Sequence, residues 1–306
     1  MVSQLMKRIV YNKYSTYLKK QYGVRVHRVS IDTGFSCPGP SPCIYCNNSS
    51  FNHFQKFNLQ KVPLKDQIET GLRNIRKKFK AEKFILYFQS GTNTNADIKT
   101  LAITYDLIRG YDDFVGLNIA TRPDVVNDQV LSLIAEYKKD YQVCIEYGLQ
   151  SIHDKTLDII NRGHGYQEFL LAYQKTKELD IAVCVHLILG LPFEIEKMIL
   201  ATAAEMTRLK VDAVKLHPMH IIKDTVLALR YKEMALNFLD FEEYRQLLAS
   251  FLANLSKDIV VYGLNGYAPE EKLVAPSWIS IPNIIVRDFE EYLLKKGIYQ
   301  GMLVKE

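Results

Sequence analysis

Three cysteines, Cys37, Cys43 and Cys46, lie within one ten-residue stretch of the segment DTGFSCPGPSPCIYCNN, in the pattern C-x5-C-x2-C. Thiolates bind soft metals, and sulfurs this close in sequence can share one ion or one face of a cluster. Pro38, Pro40 and Pro42, with Gly39, stiffen the loop between the first two ligands and reduce the entropy lost when a site forms. Spacing alone leaves two metals open. A structural zinc ion takes four ligands, and His53 could complete a Cys3His set. An iron-sulfur cluster on three cysteines instead leaves one iron free for a substrate or cofactor. The other two of the five cysteines, Cys144 and Cys184, stand alone and read as small core residues. An odd count with three clustered argues for metal binding in a reducing compartment rather than a disulfide framework.

The elements that must position this loop follow a βα rhythm. Short apolar, β-branched runs near Arg25 to Ile31, Lys83 to Phe88, Phe114 to Ala120, Gln142 to Tyr147, Ala182 to Leu189 and Ala213 to His217 read as strands. Between them, Leu64 to Phe79, Asp97 to Arg109, Asp128 to Lys138, Tyr166 to Leu179 and Glu194 to Leu209 repeat apolar residues at helical spacing. The expected fold is α/β, a partial (β/α)6 TIM-like barrel of parallel strands, with a doubly wound open sheet as the alternative. A basic N-terminal helix is expected over 1–23, the barrel over 24–222, and a C-terminal extension packing on it over 223–306. In such folds the loops at the carboxyl ends of the strands form the active site. The cysteines, Ser90-Gly91-Thr92, Thr121-Arg122-Pro123, Gly148 to Ser151, Gly190-Leu191-Pro192 and His217 to His220 all follow strands, so one rim collects them.

Composition excludes several classes. Hydrophobic residues make up 48% and charged residues 24%, values of a globular chain and not of a disordered one. The longest apolar run, Ile181 to Phe193, is too short to span a bilayer and contains His186, and the N-terminus MVSQLMKRIVYNKY lacks the apolar stretch of a secretory signal. A cytoplasmic location is expected. Residues 1–83 hold 16 Lys and Arg against four Asp and Glu, whereas the remainder is net negative. The first 31 residues carry seven basic side chains and no acidic one, with Tyr11, Tyr14, Tyr17 and Tyr22 interleaved. Lys7, Arg8, Lys13, Lys19 and Lys20 are candidate phosphate contacts and the tyrosines candidate base-stacking groups; a solvated amphipathic helix is the competing reading.

The cysteine loop, with Tyr45 directly before the third cysteine, is followed by FQSGTNTNA, GLNIATRPDVV, EYGLQSIHDKTLDIINRGH, HLILGLP and VKLHPMH. In this order the motifs resemble radical S-adenosylmethionine (SAM) proteins, in particular a bacterial and archaeal group similar to the barrel of the Elongator catalytic subunit, a tRNA wobble-uridine modifying enzyme. The resemblance covers about residues 24 to 280. It implies a [4Fe-4S] cluster on Cys37, Cys43 and Cys46, with SAM chelating the fourth iron and a reductant such as flavodoxin or ferredoxin supplying the electron that cleaves SAM. It implies no structural zinc. Two departures stand out: the first cysteine interval differs from the usual C-x3-C, and Gly263 and Tyr267 stand where the group tends to show arginine and aspartate.

The same resemblance assigns SAM contacts to Tyr45, Ser90, Gly91, Thr92, Gln150, Arg162 and Gly190. Read without it, Gly91 and Gly190 are turn glycines and Arg162 is a helix-surface residue. Arg suits a carboxylate because its planar fork donates two hydrogen bonds. Glu146 falls in a strand expected to be buried and needs a partner, either a ligand or Arg122. His217 and His220 are candidate substrate contacts, while His186 reads as a structural group. The expected activity is radical SAM chemistry on a tRNA uridine. A small-metabolite or protein substrate is the alternative, and a zinc-stabilised RNA-binding module without catalysis is the reading from another class.

Overall fold

The computed structural model describes residues 9–39, 43–47, 62–231, 233, 238–266, 268–280 and 282–305. Lys7, Arg8, His53 and Tyr267 lie outside the described residues. Seven parallel strands form one open, curled sheet in the order β1 (Val26–Ile31), β2 (Lys83–Phe88), β3 (Phe114–Thr121), β4 (Gln142–Gln150), β5 (Ala182–Leu189), β6 (Ala213–Pro218) and β8 (Val260–Gly263). The expected partial parallel barrel is present, and it gains a seventh strand from the C-terminal segment. A short antiparallel pair, β7 (Ile221–Ile222) with β9 (Leu273–Ala275), also ties that segment to the end of β6.

Successive residues of each strand point to opposite faces of the sheet, and this alternation separates two interiors. On the convex face Leu86, Leu117, Ile145, Val185 and Leu216 join one large apolar core with the covering helices. These include α2 (Leu64–Phe79), α3 (Ile98–Tyr105), α4 (Asp128–Glu136), α5 (Asp154–Ile159), α6 (Tyr166–Glu178) and α7 (Glu196–Leu209). The strands are covered on both sides, which is why β2 reads KFILYF, a continuous apolar run. From the C-terminal segment come α8 (Val226–Arg230), α9 (Phe241–Ala253) and α10 (Pro282–Lys296), and α9 packs against α7.

On the concave face the side chains stack in layers. Val26, Ile85, Cys144, Cys184, Ala213 and Val260 form an apolar floor. The helix α1 (Tyr14–Tyr22) closes that floor with Tyr14 and Leu18, packing against the two edge strands β1 and β8. Among the described residues, the helical part of the expected 1–23 segment is Tyr14–Tyr22. Lys13 is extended, because Val261 N–H donates to Asn12 O at 2.8 Å and Lys13 bridges Val261 in parallel.

Candidate active site

The cysteine loop leaves β1 and is gripped from β2. Gly91 sits at φ +72°, and a Cβ there would lie 2.2 Å from Phe35 O, so only glycine lets the turn after β2 press against the loop. From this turn Asn93 Oδ1 accepts from Thr33 Oγ1 at 2.8 Å and Asn95 Nδ2 donates to Ser36 O at 2.9 Å. Thr92 Oγ1 donates to Cys37 Sγ at 3.1 Å. The second half of the loop is held separately: Cys46 N–H turns back to Cys43 O, Ile44 N–H reaches Ile160 O, and Leu227 N–H reaches Ile44 O.

The three cysteines line one cavity of about 360 Å³ at the carboxyl rim of the sheet, together with Tyr45, Gly91, Thr92, Gln150 and Arg162. The structure thus brings together most of the residues singled out from the motifs. Ser90 and Gly190 do not line it. Gly190, at φ +82°, instead meets Leu239, whose Cδ1 would be 3.0 Å from an added Cβ.

Arg162 is buried beside the thiols and is no surface residue. Its Nε donates to Gly148 O at 3.0 Å, its Nη2 to the same oxygen, and its Nη1 approaches Cys43 Sγ at 3.5 Å. Gly148, which the sequence places at the rim without assigning it a role, makes this reach possible. A Cβ at 148 would be 2.7 Å from Arg162 Nη2, so the guanidinium reaches the cysteines only across a glycine. Arg122 also faces the cavity, but its fork is spent on Asp124 and on Gly163 O.

The donor set fits an iron cluster. Burial and the adjacent Cys43 and Cys37 push the Cys46 thiol up to about 12, so the sulfurs could share this cavity as thiolates only with positive charge placed among them. Arg162 supplies one such charge at the edge, and a cluster held by Cys37, Cys43 and Cys46 would face the space of the rim cavity. Cys144 and Cys184 are walled into the apolar floor.

A second chamber of about 220 Å³ shares Tyr45, Gln150 and His186 with the first and is lined further by Ile188, Met219, His217 and His220. The two candidate substrate histidines are therefore neighbours of the cysteine cavity, with the His186 and His217 rings 5.6 Å apart. Burial lowers His186 to about 4 and lowers His217 and His220 as well, so all three are neutral imidazoles at neutral pH. The Gly266 backbone covers the last two, 3.1 Å from His220 Cε1 measured to an added Cβ.

Glu146 does not pair with Arg122. Its carboxylate accepts from Tyr87 Oη at 2.8 Å, Asn118 Nδ2 at 2.7 Å and His186 Nε2 at 2.7 Å. Arg122 sits one step nearer the rim and is already held by Asp124.

On α1, Lys19 and Lys20 are exposed, whereas Lys13 pairs with Glu290 at 2.7 Å. The interleaved tyrosines are not a stacking surface as a group. Tyr14 is buried against Tyr262, Tyr11 donates to Glu290, and Tyr22 donates to Gln142. They fill the base of the barrel because their ring faces supply apolar area there and their hydroxyls find acceptors. No helix among the described residues is long and apolar enough to cross a membrane.

Comparison with known proteins agrees with this geometry. Residues 33–206 match the radical SAM superfamily and residues 211–293 the radical SAM C-terminal domain. Uncharacterized protein MJ0486 of Methanocaldococcus jannaschii is 35% identical over 297 residues, covering 95% of this chain and 92% of its own length. The tRNA uridine(34) acetyltransferase of the same organism is 28% identical over 192 residues, 62% of this chain and 31% of that protein. The solved structure of the archaeal Methanocaldococcus infernus Elp3 with an N-terminal deletion superposes with a TM-score of 0.70 at 19% identity, covering 90% of this chain and 64% of that one. With a cysteine-lined rim cavity on an open parallel barrel and both family regions matched along most of its length, the chain belongs to the radical SAM superfamily, enzymes that use a [4Fe-4S] cluster and SAM.

Proposed function

We propose that this radical SAM enzyme modifies tRNA at a uridine, with Cys37, Cys43 and Cys46 holding the cluster and the adjoining chamber receiving the base. When bound, the cluster and SAM supply a reductively generated radical that removes a hydrogen atom from the substrate. The protein's part is placement. Gly91 and Thr92 fix the loop of Cys37, Arg162 sets positive charge beside Cys43, and Tyr45 and Gln150 stand at the junction of the two chambers. His186, His217 and His220 offer neutral rings that can donate and accept hydrogen bonds, which suits an uncharged heterocycle. The observation that carries the RNA reading is the 28% identity to a tRNA uridine(34) acetyltransferase across 62% of the chain. Exposed Lys19 and Lys20 on α1 supply part of a phosphate-binding face. A reductant of the flavodoxin or ferredoxin class and a cytoplasmic location complete the proposal.

Anaerobic incubation of reconstituted protein with SAM, reductant and tRNA, followed by nucleoside mass spectrometry, tests it: a mass change at a uridine is expected. The second reading, a small-molecule or protein substrate, is favoured by the Lys13–Glu290 pair and the buried Tyr14, which remove two of the N-terminal groups from any RNA surface. SAM cleavage with an unaltered tRNA digest would select it.

A further inference from the structure

Between the apolar floor and the rim cavity lies a polar layer of Arg28, Tyr87, Asn118, Glu146, His186 and Lys215, and its charges do not balance. Glu146 is the one carboxylate in it. Three neutral donors, Tyr87, Asn118 and His186, already hydrogen-bond both of its oxygens. Arg28 Nη1 stands 3.8 Å from that carboxylate and Lys215 Nζ 3.9 Å, too far for either to hydrogen-bond it.

Arg28 Nη1 is buried and makes no hydrogen bond among the described residues. Its guanidinium rests over the rings of Tyr14, Tyr87 and Tyr262 at 5.6, 5.1 and 5.9 Å. Lys215 Nζ has three protons and gives one of them to Tyr87 Oη at 3.1 Å. Burial lowers the ammonium to about 8, which still leaves it mostly charged at neutral pH. Two cations thus face one saturated carboxylate, Lys215 with 12% of its side chain exposed and Arg28 with 24%. Uncompensated charge in a barrel interior is costly unless a further anion arrives.

We propose that this layer is an anion subsite, where Lys215 and Arg28 take a compact anionic group, carboxylate or phosphate. Two cavities reach the layer: Glu146 and His186 belong to the wall of the cysteine cavity, whereas Arg28 lines a separate cavity of about 450 Å³ with Tyr14, His27 and Tyr262, beside β1 and β8. A cation is the wrong occupant. Glu146, Cys184 and His186 do bring three donor atoms within 4.8 Å of one another, yet Arg28 and Lys215 would repel a metal ion there. The subsite does not rest on an RNA substrate.

Thermal unfolding of the intact chain, with chloride replaced at constant ionic strength by acetate or by inorganic phosphate, tests the assignment. An anion that binds the folded state raises Tm, here by about 2–4 °C. A rise with acetate alone marks a carboxylate subsite, a rise with phosphate alone a phosphate subsite, and a rise with both a subsite for either. Lys215→Met and Arg28→Met should each abolish the rise, while Lys19→Gln on the surface should keep it. In chloride, Lys215→Met should leave Tm unchanged or higher, because it removes an excess charge. No rise with either anion, a rise that survives Lys215→Met, or a sharp loss of Tm in chloride for that variant would overturn the subsite, the last by making Lys215 a structural counter-ion.

Discussion

Thr92 and Cys37 are 55 residues apart in the chain, yet Thr92 Oγ1 donates to Cys37 Sγ at 3.1 Å. The contact exists because the turn after β2 folds over the loop after β1, and it puts a hydrogen bond on a sulfur that the proposal makes an iron ligand. Hydrogen bonds to cluster sulfurs stabilise the reduced, more negative state. Thr92→Val should retain the cluster but shift its reduction potential to a more negative value. A redox titration followed by electron paramagnetic resonance reads this directly, and an unchanged potential would remove Thr92 from the cluster's surroundings.

Gly91→Ala should be far more damaging. The residue is at φ +72° and its Cβ would lie 2.2 Å from Phe35 O, a backbone atom that cannot swing aside. Backbone strain of this kind costs about 1–3 kcal/mol, and the displaced turn would also release Cys37. A lowered Tm together with substoichiometric iron is the expected result.

Arg162 hydrogen-bonds Gly148 O and Cys43 Sγ and stands beside Tyr45 in the same cavity, so its loss should be felt by both cluster and cofactor. Arg162→Ala should weaken SAM binding by roughly ten- to a hundredfold, the worth of a charge-assisted contact, and move the cluster potential to a more negative value by removing a nearby positive charge. Equilibrium SAM binding to cluster-loaded protein decides the first part, and unchanged affinity would assign Arg162 to the cluster alone.

The barrel interior sets an acid limit on stability. His164 and His186 are each lowered to about 4, chiefly by burial, so below the ordinary histidine value near 6.5 the unfolded chain takes up protons that the folded chain refuses. Their contribution is fully present above about pH 6.5 and is lost as the pH falls toward about 4. Glu146, held well below the usual carboxylate range against its burial by the His186 hydrogen bond and nearby Lys215, keeps its own contribution until more acid conditions still. Urea unfolding across this interval should show falling stability, with a shallower slope in His186→Leu. A flat profile from about pH 7 to about pH 4.5 would contradict the neutral histidines.

If α1 carries RNA, the exposed Lys19 and Lys20 are its available charges, since Lys13 is paired with Glu290. Replacing both with Gln should reduce the salt slope of tRNA binding by up to about 1.8, at roughly 0.9 per phosphate contact. Wild-type slope in the double variant would make α1 solely the closure of the barrel floor.

Much of this architecture is legible in the sequence where local pattern suffices. The helix over Leu64–Phe79 and the strands over Lys83–Phe88 and Ala182–Leu189 have the bounds their periodicity implies. What depends on distant partners is not. The run Ile259-Val260-Val261-Tyr262 between Asp258 and Gly263 is strand-like in itself, but that it joins the barrel as a seventh strand depends on its pairing with the distant β6. Lys13 looks helical by composition, but its backbone is captured by Val261. The site divides in the same way. The cysteines declare themselves by type and spacing, whereas Arg162 is recognisable only through its motif, and the partners of Glu146 come from its neighbours β3 and β5 and from β2 one strand further, an order that only the assembled sheet reveals.

The central claim, cluster-dependent cleavage of SAM by a site built on Cys37, Cys43 and Cys46, is tested most directly by anaerobic reconstitution with iron and sulfide, incubation with SAM and a strong reductant, and chromatography for 5′-deoxyadenosine. The wild-type chain should hold about four irons and form the product, Cys37→Ala, Cys43→Ala and Cys46→Ala should each abolish it, and Cys144→Ala and Cys184→Ala should not. Product formed at wild-type rate by any one of the first three variants, or no product from a wild-type chain that carries its cluster, would contradict it.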